Sequence, residues 1–304
     1  MGFIDENNMP TPKYKKDKAQ LAKHLSKTYK EMFDYLQLQL QFNPDEPQVI
    51  RQAEIMRQIN MMLKELDKNM ARDIEKLIRK VFKDGQAYTL LSVKEAKTMQ
   101  GALANTSFNR VQRAKVEALI SDTYGDILLA TTHTSEAIKK VVRDTVKKIT
   151  QYHSLQNSSY KEQADELKKE LSKKGLSERI VKDGFVGVTD KAGRRWQLDT
   201  YSKMVIKTKV NDAFMQGVTH EMEETGFDLA VISQHGAKDA CKHWEGVVIS
   251  MTGKTAGYPT YKQARATNEI WHPNCEHTVH PIRSLDMLHK DDIAQHHRKS
   301  KELG

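Results

Sequence analysis

The distribution of proline constrains the fold of this 304-residue chain more than any other feature of its sequence. Four of the seven prolines lie at or before Pro47, and the other three lie at or after Pro259. Proline breaks helix interiors, because it lacks a backbone N–H and its ring clashes with the preceding turn. The long interval without proline therefore predicts long helices through the middle of the chain.

Apolar residues at helical spacing mark the helices of the N-terminal region. The first two stripes run from Leu21 to Leu36 and from Ile59 to Val81. We expect the second helix to close at Gly85, since glycine commonly follows the last helical residue. A third helix is predicted to begin at the capping box Ser92-Val-Lys-Glu95, and a later one to break at Gly125.

The pattern changes in the last third of the chain. The runs 185–188 and 194–198 flank a turn and predict a β-hairpin, which a helix follows as far as Gly226. Short apolar runs predict three more strands, at 229–233, 247–251 and 278–282. The expected fold class is α+β, with a long helical N-terminal region followed by a small α+β C-terminal domain with a few short strands.

These patterns predict four segments along the chain. A helical assembly region at 1–155, which includes an amphipathic helix at 138–149, precedes a polar helical linker at 156–182. A compact α+β domain at 183–286 and a polar tail at 287–304, either a helix end or disordered, complete the chain. Trp196, Trp244 and Trp271 are the only tryptophans, and their concentration in the third segment predicts that they form its core.

Cysteine and histidine form two clusters in the compact domain. The potential ligands are His235, Cys241, His243, His272, Cys275 and His277. Thiolate and imidazole are ligands that zinc prefers, usually four of them in a tetrahedron. We therefore predict a structural zinc site made by at most four of His235, Cys241, His272, Cys275 and His277. A hydrogen-bonded cluster without metal is the alternative, and a disulfide is less favoured.

Convergence of the two clusters follows if the strands that carry them are neighbours. We expect the strand that ends at Ser233 to lie beside the strand that begins near Thr278, which brings both cluster-bearing ends to one edge. An enzymatic alternative uses the same residues, either as a Cys–His hydrolase or as a metal-dependent nuclease built on His272, Asn274 and His277. The nuclease reading requires a helix after the motif, whereas Thr278-Val-His-Pro281 predicts a strand.

Composition narrows the functional class. The sequence has no apolar run long enough to span a bilayer and no pattern typical of a signal peptide, so we expect reduced cysteines. It also has no phosphate-binding glycine loop and no dinucleotide fingerprint. The net charge of +9 is compatible with weak, sequence-independent contact with DNA. Apart from zinc, no cofactor is expected.

The region from Ala192 to Ile282 resembles the phage minor capsid protein 2 family, within the wider group of Mu F-type head morphogenesis proteins. The matching elements, in order, are Gly193-Arg-Arg-Trp196, Tyr201 and the helix through Thr208, Gly226-Phe-Asp-Leu229, His235, Cys241, Trp244, Gly246, Ser250, Gly253, Tyr258-Pro259, His272-Pro-Asn-Cys-Glu-His277 and Pro281. One departure is Lys207-Thr208, where the family usually has Arg-Thr, and lysine cannot form a planar bidentate pair.

The resemblance implies a low-copy structural protein of the phage head rather than an enzyme. Its implied partners are the portal, other head proteins and packaged DNA, and its implied role is head assembly or genome delivery. Its implied location is the virion head, after a stage in the host cytoplasm during assembly. The helical first half resembles the family only in general character.

Overall fold

The structure is a computed structural model that describes residues 14–40, 48–106, 109–128, 136, 140, 187–189 and 195–303. The predicted linker at 156–182 lies outside these residues. The amphipathic helix predicted at 138–149 also lies outside them, except for residue 140, which is helical.

Helices dominate the described elements, and all the strands are short. The helices are α1 (Lys15–Leu40), α2 (Gln48–Ser92), α3 (Met99–Asn105), α4 (110–128), α5 (Leu198–Thr225), α6 (Tyr261–Ala266) and α7 (Lys290–Leu303). The strands are β1 (Gly187–Thr189), β2 (Arg195–Gln197), β3 (Leu229–Ile232), β4 (Val248–Ser250) and β5 (Val279–Ile282). This order confirms the predicted α+β class. Within the described ranges, every helix is too short or too polar to cross a membrane.

Two compact units divide the chain. Unit 1 comprises Met1–Lys15, Ile74–Thr123 and Met204–Gly304, and unit 2 comprises Lys16–Asp73 and Tyr124–Lys203. The division at residues 155, 182 and 286 stays a prediction, because it concerns independent folding rather than spatial contact.

Unit 2 contains α1, the first part of α2 and a β-hairpin. His24 of α1 lies 3.0 Å from the carboxylate of Asp73 in α2, and Leu21 is buried. Strands β1 and β2 pair in antiparallel fashion with Val188 opposite Trp196. The structure therefore confirms the predicted hairpin.

Unit 1 contains a three-stranded antiparallel sheet in the order β4-β3-β5. Val231 of the central strand lies opposite Val248 on one side and His280 on the other. All three strands were predicted within one or two residues. One hydrophobic cluster on this sheet contains Val231, Val248, Ile282 and Leu288. The apolar runs form strands because both neighbours of the central strand satisfy its backbone groups.

Helices α2 and α5 pack within unit 1 at a pair of glycines. A Cβ atom built at Gly85 would collide with the carbonyl oxygen of Phe214, and one at Gly217 would collide with that of Phe82. Each of these Cβ atoms would also lie 3.2 Å from the other glycine's Cα atom. The predicted end of α2 at Gly85 was wrong, since this glycine lies inside the helix and permits close approach to α5.

Two other predicted helix boundaries were wrong. Ser92 is the last residue of α2 instead of an N-cap, and its hydroxyl donates to the carbonyl of Tyr88 at 2.8 Å. Thr98 caps α3 instead, because its Oγ1 accepts from the amide of Gly101 at 3.1 Å. Helix α4 continues through Gly125, around which a Cβ atom would meet nothing within 4 Å. By contrast, Gly226 follows the end of α5 as predicted, with φ of 78°.

A buried carboxylate organises the loop after β4. Asp228 accepts hydrogen bonds from the hydroxyls of Ser250 and Thr252 and from the amides of Thr252 and Thr255, at 2.5 to 2.8 Å. Burial acts to raise the pKa of Asp228, but these hydrogen bonds hold it far below its usual range. Asp228 therefore fixes the loop as an ionised acceptor.

The polar tail ends in helix α7. Its His296 is only 3% exposed, and the ring Nδ1 accepts from the amide of Val248 in β4 at 3.1 Å. Since an edge strand presents unpaired amides, this contact satisfies one of them and ties the tail to the sheet.

Candidate metal centre

The ends of β3 and β5 bring the two Cys/His clusters together. The amide of Ser233 donates to the carbonyl of Thr278 at 2.9 Å, and the amide of Thr278 donates to the hydroxyl of Ser233 at 3.0 Å. The prediction that these two strands are neighbours is confirmed. The loop that follows β3 and the loop that precedes β5 therefore leave the sheet at the same edge.

Cys241 lies in a 3₁₀ helix, Ala240–His243, that Asp239 caps. The Asp239 carboxylate accepts from the Cys241 amide at 3.2 Å. Trp244 follows, is 3% exposed, and donates its indole N–H to the Glu269 carboxylate at 3.0 Å. These contacts hold the Cys241 thiol, itself 2% exposed, toward the second cluster. Trp271 is also buried, which agrees with the core role predicted for it and Trp244.

The second cluster begins with a tight turn over residues 272–275. The amide of Cys275 donates to the carbonyl of His272 at 2.9 Å. Pro273 precedes Asn274, which has φ of 70°; a type II turn requires a positive φ at this position and commonly has proline before it. This turn places His272 and Cys275 on the same side of the loop, with His277 two residues further on.

Side chains of helix α5 contact this turn and the residues that follow it. The Thr208 hydroxyl accepts from the Asn274 amide at 3.3 Å, and the Asn211 side chain donates to the carbonyl of His277 at 3.1 Å. Lys207 forms an ion pair of 2.8 Å with Glu276. The lysine at the position that departs from the family pattern therefore makes a single point-charge contact beside the cluster.

Four side chains meet where the two loops face each other. Cys241 Sγ lies 3.8 Å from Cys275 Sγ and 3.1 Å from His272 Nε2. Cys275 Sγ in turn lies 3.3 Å from His277 Nδ1. Both cysteines are free thiols, and His277 is 1% exposed. This Cys/His cluster has the donor types and the compactness to hold a metal ion.

The described residues form three overlapping groups that could hold a metal ion. They are Cys241 with Cys275 and His277; His235 with Glu245 and His277; and Asp239 with Cys241 and His272. His235 is exposed, but its ring lies 3.9 Å from that of His277, centroid to centroid. His243 is exposed and belongs to none of these groups.

Sequence reasoning missed Glu245. Its carboxylate lies 3.2 Å from His277 Nε2 and accepts from the amides of His235 at 2.9 Å and Ala237 at 3.0 Å. No ligand spacing indicates this residue, because its role depends on the pairing of β3 with β5. Glu245 could have been identified only by predicting how the apolar runs pair into a sheet and in which register.

The protonation of the cluster follows from its burial. Burial, and then the neighbouring thiol of Cys275, raise the pKa of the Cys241 thiol. Burial also lowers the pKa of His277, and the charge of His235 lowers it further. Burial acts to raise the pKa of Glu245, but hydrogen bonds from His235, Ala237 and His277 lower it overall. A neutral Cys241 thiol, a neutral His277 imidazole and an ionised Glu245 carboxylate therefore coexist in the cluster.

This chemistry is unlike that of a nucleophilic cysteine. Such a cysteine needs a lowered pKa and access to substrate, whereas the Cys241 thiol is buried and its pKa is raised. The nuclease arrangement also lacks support, because β5 instead of a helix follows His272, Asn274 and His277. The Cys/His cluster is instead a largely buried set of contacts that links the loop after β3 to the loop before β5.

Comparison with known proteins identifies the family of the chain. The model of the family described as phage minor capsid protein 2 matches residues 28–284. The match extends through the helical first half, far beyond the last third in which the sequence motifs lie. Comparisons with curated proteins and with solved structures give no match. Since the family match covers most of the sequence, the chain belongs to the phage minor capsid protein 2 family.

Proposed function

We propose that this chain is a structural protein of a tailed-phage head, present in few copies and associated with the portal. The family match over residues 28–284 is the observation that carries the proposal. The protein acts in head assembly or genome delivery and has no catalytic role. Its partners are the portal and other head proteins, which it joins in the host cytoplasm before it becomes part of the virion.

Packaged DNA is a further partner in this proposal. The net charge of +9 favours a polyanion, and contacts to phosphate carry no sequence information. Lysine residues on solvated helix faces suit such weak, sequence-independent contact.

We further propose that the Cys/His cluster holds a structural zinc ion, with at most four ligands among His235, Cys241, His272, Cys275 and His277. Their soft sulfur and imidazole donors suit zinc. The ion would stabilise two loops that contain few apolar residues, because the free energy of metal binding adds to that of folding. The hydrogen-bonded cluster without metal remains the alternative brace.

Electron microscopy of intact particles tests the proposed location. We expect density for this protein at the portal vertex, and loss of that density in particles assembled without it. A second preparation contains a chain that lacks residues 1–150. We expect this shortened chain not to be incorporated into heads. Complete particles that lack the full-length protein, or that carry it uniformly over the shell, would overturn the proposal.

A further inference from the structure

Each of two imidazoles in the cluster has one nitrogen fixed by an oxygen and the other facing a sulfur. His272 Nδ1 lies 2.9 Å from the carbonyl oxygen of Pro273. A carbonyl oxygen can only accept, so Nδ1 is the donor in this contact. Nε2 lies 3.1 Å from Cys241 Sγ and 3.4 Å from the Asp239 carboxylate.

His277 has the complementary arrangement. Its Nε2 lies 3.2 Å from Glu245 Oε1, the oxygen that also accepts from the amides of His235 and Ala237. The proton therefore sits on Nε2, and the lone pair of Nδ1 faces Cys275 Sγ, 3.3 Å away. Metal-bound histidines show this pattern, in which the ring nitrogen that does not bind metal donates to a carboxylate or a backbone carbonyl.

We infer that the four ligands of the zinc ion proposed above, on which this inference rests, are Cys241 Sγ, His272 Nε2, Cys275 Sγ and His277 Nδ1. Glu245 is the positioning residue for His277. Zinc–sulfur bonds of about 2.3 Å and zinc–nitrogen bonds of about 2.0 Å, at tetrahedral angles, separate two sulfurs by about 3.8 Å and a sulfur and a nitrogen by about 3.5 Å. The observed sulfur separation is 3.8 Å, and the two sulfur–nitrogen distances are 3.1 and 3.3 Å. The ligand atoms of Cys241, Cys275 and His277 lie within 4.8 Å of one another, whereas His272 groups only with Cys241 and Asp239, so its ring must move toward the other ligands when the ion binds.

The remaining candidates have other contacts. The His235 ring packs on the His277 ring at an interplanar angle of 33°, and its backbone amide binds Glu245. Asp239 is exposed; its Oδ1 caps the 3₁₀ helix, and its Oδ2 lies 3.4 Å from His272 Nε2, where it can orient that ring. Four protein ligands leave no open position for water, so the ion serves a structural purpose instead of activating a nucleophile.

Glu245 links the ligand set to the loop that follows β3. One of its carboxylate oxygens accepts from the amides of His235 and Ala237 as well as from His277. The carboxylate is thereby fixed by backbone groups before any metal binds. It holds the His277 ring in the tautomer and orientation that direct Nδ1 at the metal.

The first measurement uses the unmodified full-length chain purified without chelator. We expect one equivalent of zinc, and after exchange with cobalt(II) the visible and near-ultraviolet bands of a tetrahedral site with two thiolates. A chain that takes up no zinc or cobalt would overturn the zinc site and this inference together, while leaving the proposed location in the head to electron microscopy. A cobalt spectrum without thiolate bands would overturn the ligand set alone.

Variants then separate ligands from neighbours. We expect Cys275→Ser and His277→Gln to lose the metal, whereas His235→Gln and the exposed control His243→Gln keep one equivalent and the same cobalt spectrum. Loss of metal from His235→Gln, with the circular dichroism spectrum unchanged, would overturn the ligand set.

Glu245→Gln tests the positioning role. We expect it to bind one equivalent of cobalt with unchanged band energies, but with affinity lowered about 10–100-fold, as is typical when such an outer partner is lost. A chelator competition gives the affinity, and thermal unfolding of the metal-free chains shows any purely structural effect. Equal affinity for Glu245→Gln and the unmodified chain would overturn the positioning role and leave the four ligands standing.

Discussion

The glycine contact between α2 and α5 makes a sharp prediction about stability. Replacing Gly217 with alanine adds a Cβ atom against the backbone carbonyl of Phe82, which cannot rotate away as a side chain could. The same atom would lie 3.2 Å from the Cα atom of Gly85. The two helices must separate, and the side chains around them lose part of their packing.

The magnitude follows from two opposing effects. Overpacking of a close contact costs typically about 1–3 kcal/mol, and a backbone neighbour places Gly217→Ala at the upper end. Alanine is also the better helix former, by about 1 kcal/mol. The net loss is about 2 kcal/mol, which lowers the melting temperature by roughly 4–8 °C for a unit of this size. Gly85→Ala is expected to show a similar loss.

Gly125 provides the matched control. It lies inside a helix, and a Cβ atom there would meet nothing within 4 Å. Gly125→Ala is therefore expected to stabilise its helix by about 0.5–1 kcal/mol. Denaturant unfolding followed by far-ultraviolet circular dichroism and tryptophan fluorescence gives both values. If Gly217→Ala unfolds at the same denaturant concentration as Gly125→Ala, or at a higher one, then α2 and α5 do not require glycine at position 217 for their contact.

The buried His280 couples stability to pH. Burial lowers its pKa to about 4, below about 6.5 in the unfolded chain, so the unfolded chain binds more protons between these values. The free energy of unfolding is therefore unaffected above pH 6.5 and falls by up to about 3 kcal/mol as the pH drops to 4. Denaturant unfolding at several pH values is expected to show a weaker dependence of this free energy on pH for His280→Gln than for the unmodified chain. An equal dependence in both would contradict the prediction. Asp228→Asn loses an ionised acceptor of four hydrogen bonds and is expected to cost about 2 kcal/mol, with denaturant midpoints as the measurement and an unchanged midpoint as the contrary result. The net charge of +9 predicts equal binding to DNA duplexes of unrelated sequence that weakens with salt, and a titration that discriminates between sequences would refute it.

The strands were predictable because each satisfies a local rule. Short apolar runs bounded by turn residues favour strands, and β3, β4 and β5 follow this rule within one or two residues. The neighbouring placement of β3 and β5 was also predictable. It required only that the two Cys/His clusters share one edge of the sheet.

The errors arose where tertiary contact overrides a local signal. Gly85 has the sequence context of a helix end, but its lack of a side chain serves the contact with Gly217, which lies far along the chain. Ser92 has the context of an N-cap, yet its hydroxyl bonds backward to Tyr88. Neither partner is visible in the local sequence. Glu245 was missed for the same reason, since its partner His277 is 32 positions away.

The contact between α2 and α5 also sets the time at which unit 1 can form during synthesis. The side chains of Gln86 and Glu221 pair across 135 positions, and Tyr88 contacts His280 across 192. Ribosomes add about 5–20 residues per second, so this part of α2 waits roughly 7–27 seconds for α5 and longer for β5. During that interval its buried face, which includes Phe82, has no native partner from α5 or the sheet. Unit 1 is completed only after β5 and α7 have been synthesised, so a nascent chain that stops before them cannot present the finished surface of this unit.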